Sequence, residues 1–213
     1  MRPLWLPVAG LFLLSAVAAP PFALVALTPA AFHHAVRAAP PASLRLEYPV
    51  RKSNGAVRIP LGGGGYKTFA DRPVNAEGTD ETEQLTYTYV GYMPDFRQHL
   101  LQERAYESSQ WLLVSETGET TPLWSQPLPS PDRVYLLTSN GSLDYDVMPT
   151  GLQLFRQVGG RVVKQWEHRL TTWEPRQVQW LTNDRLCLQG VVPAHLSATG
   201  KRNVFYRSLV LQR

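Results

Sequence analysis

From residue 44 onward, hydrophobic and polar positions alternate with a period of two, the signature of strands with one face on a core. LRLEYPV, residues 44 to 50, alternates and is followed by the turn signal Ser53-Asn54-Gly55 and then AVRIPL, so a hairpin between these two runs is expected. QLTYTYVGY, residues 84 to 92, places Leu85, Tyr87 and Tyr89 on one face and Thr86, Thr88 and Val90 on the other. WLLVSETGETTPLW, residues 111 to 124, reads as two strands around Glu116-Thr117-Gly118-Glu119. VYLLTS, GLQLFRQV, RVVKQWEH, VQWLT, RLCLQGVV and NVFYRSLVLQ follow, each bounded by Gly, Pro, Asn or Asp. Residues 95 to 108 carry two patterns. Phe96, Leu100 and Leu101 fit a helix beginning after Pro94-Asp95, whereas HLLQERAYE alternates as a strand, and its strand-like neighbours favour the strand. The expectation is an all-β domain over residues 44 to 213, with about ten to thirteen short strands.

The first 43 residues differ. MRPLWLPVAGLFLLSAVAAPPF has one positive charge, Arg2, then an uncharged apolar run and small residues, the layout of a secretory signal peptide. Ala16-Val17-Ala18 satisfies the small-x-small rule, so residues 1 to 18 read as the signal, with cleavage before Ala19. The alternative is an uncleaved membrane anchor over residues 4 to 27, a length that just spans a bilayer but is interrupted by Pro7, Pro20 and Pro21. No cysteine follows the apolar run, which excludes a lipoprotein anchor. Residues 19 to 43 are rich in Ala and Pro and read as a linker, with His33 and His34 as solvated members of it.

Self-similarity adds an architecture. Asp132 and Asp184 are each followed by an apolar strand, a loop and a second strand starting 19 residues later, at Gly151 and Asn203. A fainter copy starts at Asp95, and Trp124 and Trp166 lie 42 residues apart. Units of about forty residues have the size of a propeller blade. SPDRVYLL resembles the Ser-Pro-Asp turn and strand of WD-like repeats in Tol-type periplasmic β-propellers, and WLTNDRLCL resembles a decayed copy. Arg133 and Arg185 stand where that pattern usually has Gly. More broadly, YTYVGY, AYES, an ETGE hairpin and SPD in this order resemble small secreted bacterial proteins. The resemblance implies propeller-like repeated β-meanders, as a partial or irregular propeller with a β-sandwich as the alternative, and an exported location. It implies no activity. Three units do not close a ring.

Composition narrows the chemistry. Charged residues are only 18% while Pro and Gly number 18 and 15, which suits turns and strands rather than helices. The net charge of +4 is spread over single Lys and Arg residues, with no stripe to follow a phosphate backbone, so nucleic acid is not an expected partner. The one cysteine, Cys187, permits no intrachain disulfide and no multi-cysteine metal site, and reads as a small strand residue. Gly62 to Gly65 lacks the Lys-Ser/Thr spacing of a phosphate loop and reads as a hairpin loop. The acidic groups Asp71, Asp80, Glu81 and Glu83, and Asp144 with Asp146, lack the ligand pattern of a calcium loop.

No catalytic set stands out. No serine sits in a Gly-x-Ser-x-Gly elbow, and His99, His168 and His195 have no fixed spacing to acids or nucleophiles. Glu103 with Glu107, or Glu167 with Glu174, could form a glycosidase pair only if the fold assembled them. Trp124 and Trp166 read as packing between sheets, while Trp111, Trp173 and Trp180 are the candidates for a ligand-binding groove. No metal or cofactor is expected. The sequence therefore favours a secreted or periplasmic, non-catalytic binding module for an envelope protein or glycan. A hydrolase of envelope polysaccharide or peptide is the alternative, and membrane contact is expected only if the leader is uncleaved. Amino-terminal sequencing of the exported chain should begin at Ala19; retention of the full-length chain in the cytoplasm would refute export.

Overall fold

The computed structural model describes residues 22–74, 81–145 and 147–212. The signal segment, Asp80 and Asp146 lie outside the described residues. Chain order is β1 (Phe22–Leu27), α1 (Pro29–Ala38), β2 (Ala56–Pro60), β3 (Tyr66–Ala70), β4 (Leu85–Met93), β5 (Gln98–Ala105), β6 (Ser109–Ser115) and β7 (Thr120–Leu123). It continues with β8 (Leu128–Pro129), β9 (Tyr135–Asn140), β10 (Gly151–Val158), β11 (Arg161–Arg169), β12 (Glu174–Trp180), β13 (Arg185–Val192) and β14 (Asn203–Leu211). The protein is all-β, and every pairing is antiparallel. β4 to β7 form one four-stranded meander and β8 to β11 a second. β12, β13 and β14 form a third sheet whose fourth strand is β1, and β2 and β3 form a separate hairpin.

The strand assignment of residues 95 to 108 holds, since Gln98–Ala105 is β5. The second strands expected at Gly151 and Asn203 begin at those residues as β10 and β14. Two expectations need correction. LRLEYPV does not pair with AVRIPL: Asn54 and Gly55 do turn the chain, with φ of 48° and 70°, but β2 pairs with β3 across the Gly62–Gly65 loop. LRLEYPV instead touches the β4–β7 sheet at one bridge, Glu47 to Tyr92. Gly91 permits that approach, because a Cβ there would sit 3.2 Å from both the Glu47 carbonyl oxygen and Leu46 Cβ.

The second correction concerns residues 19 to 43, which are not an unstructured linker. β1 runs through them and pairs with β14 from Phe22↔Leu211 to Leu27↔Tyr206. Residues 44 to 213 hold thirteen of the described strands, β2 to β14, within the expected range, and β1 adds a fourteenth from outside the expected domain. Helix α1 follows at once. Thr28 caps it, its Oγ1 accepting from Ala31 N–H at 3.2 Å, and Pro29 occupies the first turn, where no intrahelical N–H is needed. Phe32 is 1% exposed and lies 4.8 Å from the Tyr206 ring, a burial that contributes about 1.5–3 kcal/mol. His33 leans on the same ring at 5.8 Å. Among the described residues, no helix is long and apolar enough to cross a membrane.

Three apolar clusters hold the layers in succession. Val57, Ile59 and Phe69 of the hairpin pack on Leu101, Leu112 and Val114. Leu100, Leu113 and Leu123 of the β4–β7 sheet pack on Leu136 and Phe155 of the next sheet. Leu137, Leu152 and Leu154 then meet Trp180, Leu186, Leu188, Leu209 and Phe22. Cys187 lies in β13 and is fully buried, and burial pushes its thiol above the ordinary value, so it is no nucleophile.

Gly190 of β13 faces Phe205 of β14, and a Cβ at Gly190 would fall 2.2 Å from the Phe205 ring, which itself meets Trp173 edge-on at 5.3 Å. Gly190→Ala should therefore destabilise the protein by about 1–3 kcal/mol. A denaturant midpoint unchanged by the substitution would contradict this packing.

Candidate functional site

The strand-initiating turns explain why the aspartates recur. In the β8–β9 turn, Asp132 Oδ1 accepts from the Ser130 hydroxyl at 2.6 Å and from Val134 N–H at 3.2 Å. Ser130 Oγ in turn accepts from Tyr135 N–H at 2.9 Å, so the two side chains satisfy the backbone of the turn. Arg133 takes φ of 60°, the left-handed region that glycine occupies freely, and its guanidinium donates to the Ser43 carbonyl at 2.6 Å. In the β12–β13 turn, Asp184 Oδ1 accepts from the Thr182 hydroxyl at 2.8 Å. Asp95 sits in the β4–β5 turn, so the three aspartates fall between β4 and β5, β8 and β9, and β12 and β13, each the first hairpin of a consecutive run of antiparallel strands.

Two of these turns meet. Asp132 N–H donates to Asn183 Oδ1 at 3.1 Å across the junction between the β8–β11 and β12–β1 sheets. Below this contact lies a cavity of about 550 Å³. Tyr135, Trp166, Leu154 and Leu211 provide its apolar walls, and Asp132, Asp184, Arg156 and Gln165 its polar mouth. Among the described residues neither Asp132 nor Asp184 is ion-paired, and Arg156 meets only the Tyr135 ring, 6.0 Å from its centroid. The mouth thus offers, beside two aromatic rings, two carboxylates that each keep Oδ2 free of their turn and one guanidinium without an ion pair.

β1 supports this wall from behind. Phe22 lies 5.3 Å from the Trp166 ring and pairs in register with Leu211, whose N–H donates to the Asp184 carbonyl at 2.9 Å. Gln153 reinforces the sheet: it is buried, accepts from Trp124 N–H at 3.0 Å and the Thr138 hydroxyl at 2.9 Å, and donates to Glu167 at 3.3 Å.

The three tryptophans singled out in the sequence do not come together. Trp180 is 0% exposed and its indole N–H donates to the Leu128 carbonyl at 3.0 Å, so it is a core residue closed to a ligand. Trp173 packs on Phe205 beside the same core, and Trp111 packs beside the Met93 and Leu113 cluster in another layer. The residue that sequence reasoning placed only in packing, Trp166, is the one that lines the cavity. Its signal was weak but present: it lies on a strand alternating Val162, Lys164 and Trp166 against Val163 and Gln165, with Gln165 beside it at the mouth.

The acidic candidates are not brought together. Asp71 pairs with Lys52 at 2.5 Å and accepts from Tyr87 N–H at 2.8 Å, and Asp144 pairs with Arg202 at 3.0 Å and with His195 at 3.5 Å. Glu103 accepts from Gln110, Glu107 is exposed, and Glu174 is buried against Arg176 at 2.6 Å. Among the described residues no group of three or more His, Cys, Asp or Glu side chains is placed to hold a metal ion. Comparison with protein-family models, curated proteins and solved structures gives no match.

Glu167, next to Trp166, carries a pH signature. Burial pushes its carboxyl up, but hydrogen bonds from Lys164, Gln153 and Arg169 pull it further down, below the ordinary carboxylate range. A lowered folded-state value means stability that is present above the unfolded value and lost as pH falls through the folded one. Urea midpoints measured from pH 7 to pH 3 should therefore fall less steeply for Glu167→Gln than for the wild type; parallel curves would show that this carboxylate is not coupled to folding.

Proposed function

We propose that this chain is an exported, non-catalytic binding module that holds a short envelope glycan in the cavity between the β8–β11 and β12–β1 sheets. The carrying observation is the pairing of the Trp166 and Tyr135 rings with Asp132, Asp184 and Arg156, none of them ion-paired among the described residues, around about 550 Å³. A sugar presents apolar C–H faces to aromatic rings and hydroxyls to carboxylates and guanidinium, and cavities of this size commonly hold small ligands. Export is supported by the signal layout and by where β1 begins: cleavage before Ala19 leaves Phe22–Leu27 in the mature chain to complete its sheet.

We read the three four-stranded sheets as propeller-like units. The matching positions of Asp95, Asp132 and Asp184 favour this reading, as does the left-handed Arg133 where the resembled repeats carry glycine. In this reading the amino-terminal strand supplies the outer strand of the last unit.

Isothermal titration with soluble oligosaccharide fragments of the envelope tests the reading. Asp184→Ala, which gives up one exposed hydrogen bond from Thr182, and Arg156→Ala, which gives up a contact with the Tyr135 ring, should each weaken binding by about tenfold while lowering the thermal midpoint only slightly. Equal affinity in both variants, or no binding of any fragment, would refute it.

A further inference from the structure

A second cleft lies two layers away, where the β2–β3 hairpin and the Glu47–Pro49 segment overhang the β4–β7 sheet. It is a shallow, open cleft of about 370 Å³, mostly apolar, lined by Pro49, Pro60, Leu61, Tyr92 and His99, with Glu47 and Glu116 also at its surface. The overhang is pinned. Gly62 N–H donates to the Glu116 carbonyl at 2.8 Å, and Lys67 Nζ reaches the Gly118 carbonyl at 2.6 Å and Thr120 Oγ1 at 2.5 Å. Tyr92 exchanges both backbone hydrogen bonds with Glu47, at 2.9 and 2.7 Å.

The floor of the cleft carries one uncommitted polar group. His99 is only 4% exposed, and its Nδ1 lies 3.0 Å from the Tyr89 hydroxyl. Its Nε2 has no hydrogen-bond partner among the described residues and keeps contact with solvent, and His99 lines the cleft. Among the described residues the Tyr89 hydroxyl has no hydrogen-bond partner other than His99 Nδ1. In the tautomer in which the phenol donates to Nδ1, the imidazole proton resides on Nε2, at the cleft. Burial keeps the imidazole neutral by pushing its pKa down against the opposing pull of Glu116.

The two carboxylates lining the cleft have ion-pair partners, Glu116 with Arg97 and Glu47, more loosely, with Arg45 at 3.7 Å. Glu116 accepts from Arg97 through both carboxylate oxygens and from the Tyr92 hydroxyl at 2.9 Å. Tyr92 stacks against His99 with ring centroids 4.8 Å apart. The cleft therefore offers proline and tyrosine surfaces for a flat apolar body, a single neutral N–H donor, and no free charge on its floor.

We propose that this cleft is a second binding site, distinct from the sheet-junction cavity, for a small uncharged ligand that combines an apolar ring with a carbonyl-type acceptor, the acceptor receiving the His99 Nε2–H. The ring packs between the prolines and Tyr92. Charged ligands are disfavoured, because no side chain on the floor has a free charge to compensate theirs.

Imidazole ¹H–¹⁵N correlation spectra of the full chain test this, with benzamide as the probe and toluene as the matched ring without an acceptor. Benzamide should shift the His99 Nε2 resonance saturably, and toluene should bind about tenfold more weakly. His99→Phe keeps a ring but removes the donor and should cost about the same factor. His99→Gln, whose amide N–H₂ can reach the Nε2 position, should retain benzamide binding and a wild-type melting midpoint. Asp184→Ala and Arg156→Ala should leave the benzamide shift untouched, which separates this site from the glycan cavity. An Nε2 that carries no proton, equal affinities for benzamide and toluene, equal binding by His99→Phe, or loss of the shift in the cavity variants would each overturn the proposal.

Discussion

The structure depends on the pairing of its first described strand with its last. Without β1, the row of N–H and C=O groups along one side of β14 would be unpaired, and the apolar edge of the third sheet would lie open. With it, Phe22 enters the same core as Trp180 and Leu209, and backs the Trp166 ring that lines the cavity. Burying Phe22 and forming the ladder offset the entropy of ordering a segment whose ends lie far apart in sequence. The same contact fixes Leu211 against the Asp184 turn, so sheet completion and cavity shape are one event.

The turns divide into those that serve the fold and those that also face a ligand. Ser130 and one oxygen of Asp132 are consumed by the backbone of the β8–β9 turn. The turns at Asp132 and Asp184 touch through Asn183, and that contact forms the rim of the cavity. The Glu116 cluster shows the opposite economy: every charged group near the second cleft is satisfied by a neighbour, and one neutral donor is left over. Isolated surface pairs such as Arg45 with Glu47 at 3.7 Å add little stability, so the layers rest on their apolar clusters.

Much of the fold was legible in the residues because local rules were sufficient. Period-two alternation located β4, β6, β9, β10, β11, β13 and β14, since a strand with one face on a core must alternate or run apolar. The Glu116–Glu119 and Asn54–Gly55 turns were read from turn chemistry that acts over four residues. What local rules could not supply was partner choice. Asn54–Gly55 correctly marks a turn, yet its flanking runs go to different sheets. Thr28-Pro29 is a helix start in plain view, but an Ala-rich stretch beside a leader gave no apolar period strong enough to reveal α1; its single anchor, Phe32, finds Tyr206 only in three dimensions.

The sequence alone determined the class: an all-β chain of short antiparallel strands with aspartate-led turns, because alternation, turn residues and low charge are properties of neighbours along the chain. It could not decide which tryptophan lines a cavity, since Trp166 and Trp180 both sit on strands and Trp173 immediately precedes one. Tertiary structure decided that by burying Trp180 under Leu128, pairing Trp173 with Phe205 and leaving Trp166 at a junction. It also assembled Tyr89, Tyr92, His99 and Glu116, which no spacing rule links, because cross-strand register rather than sequence separation sets which side chains share a surface.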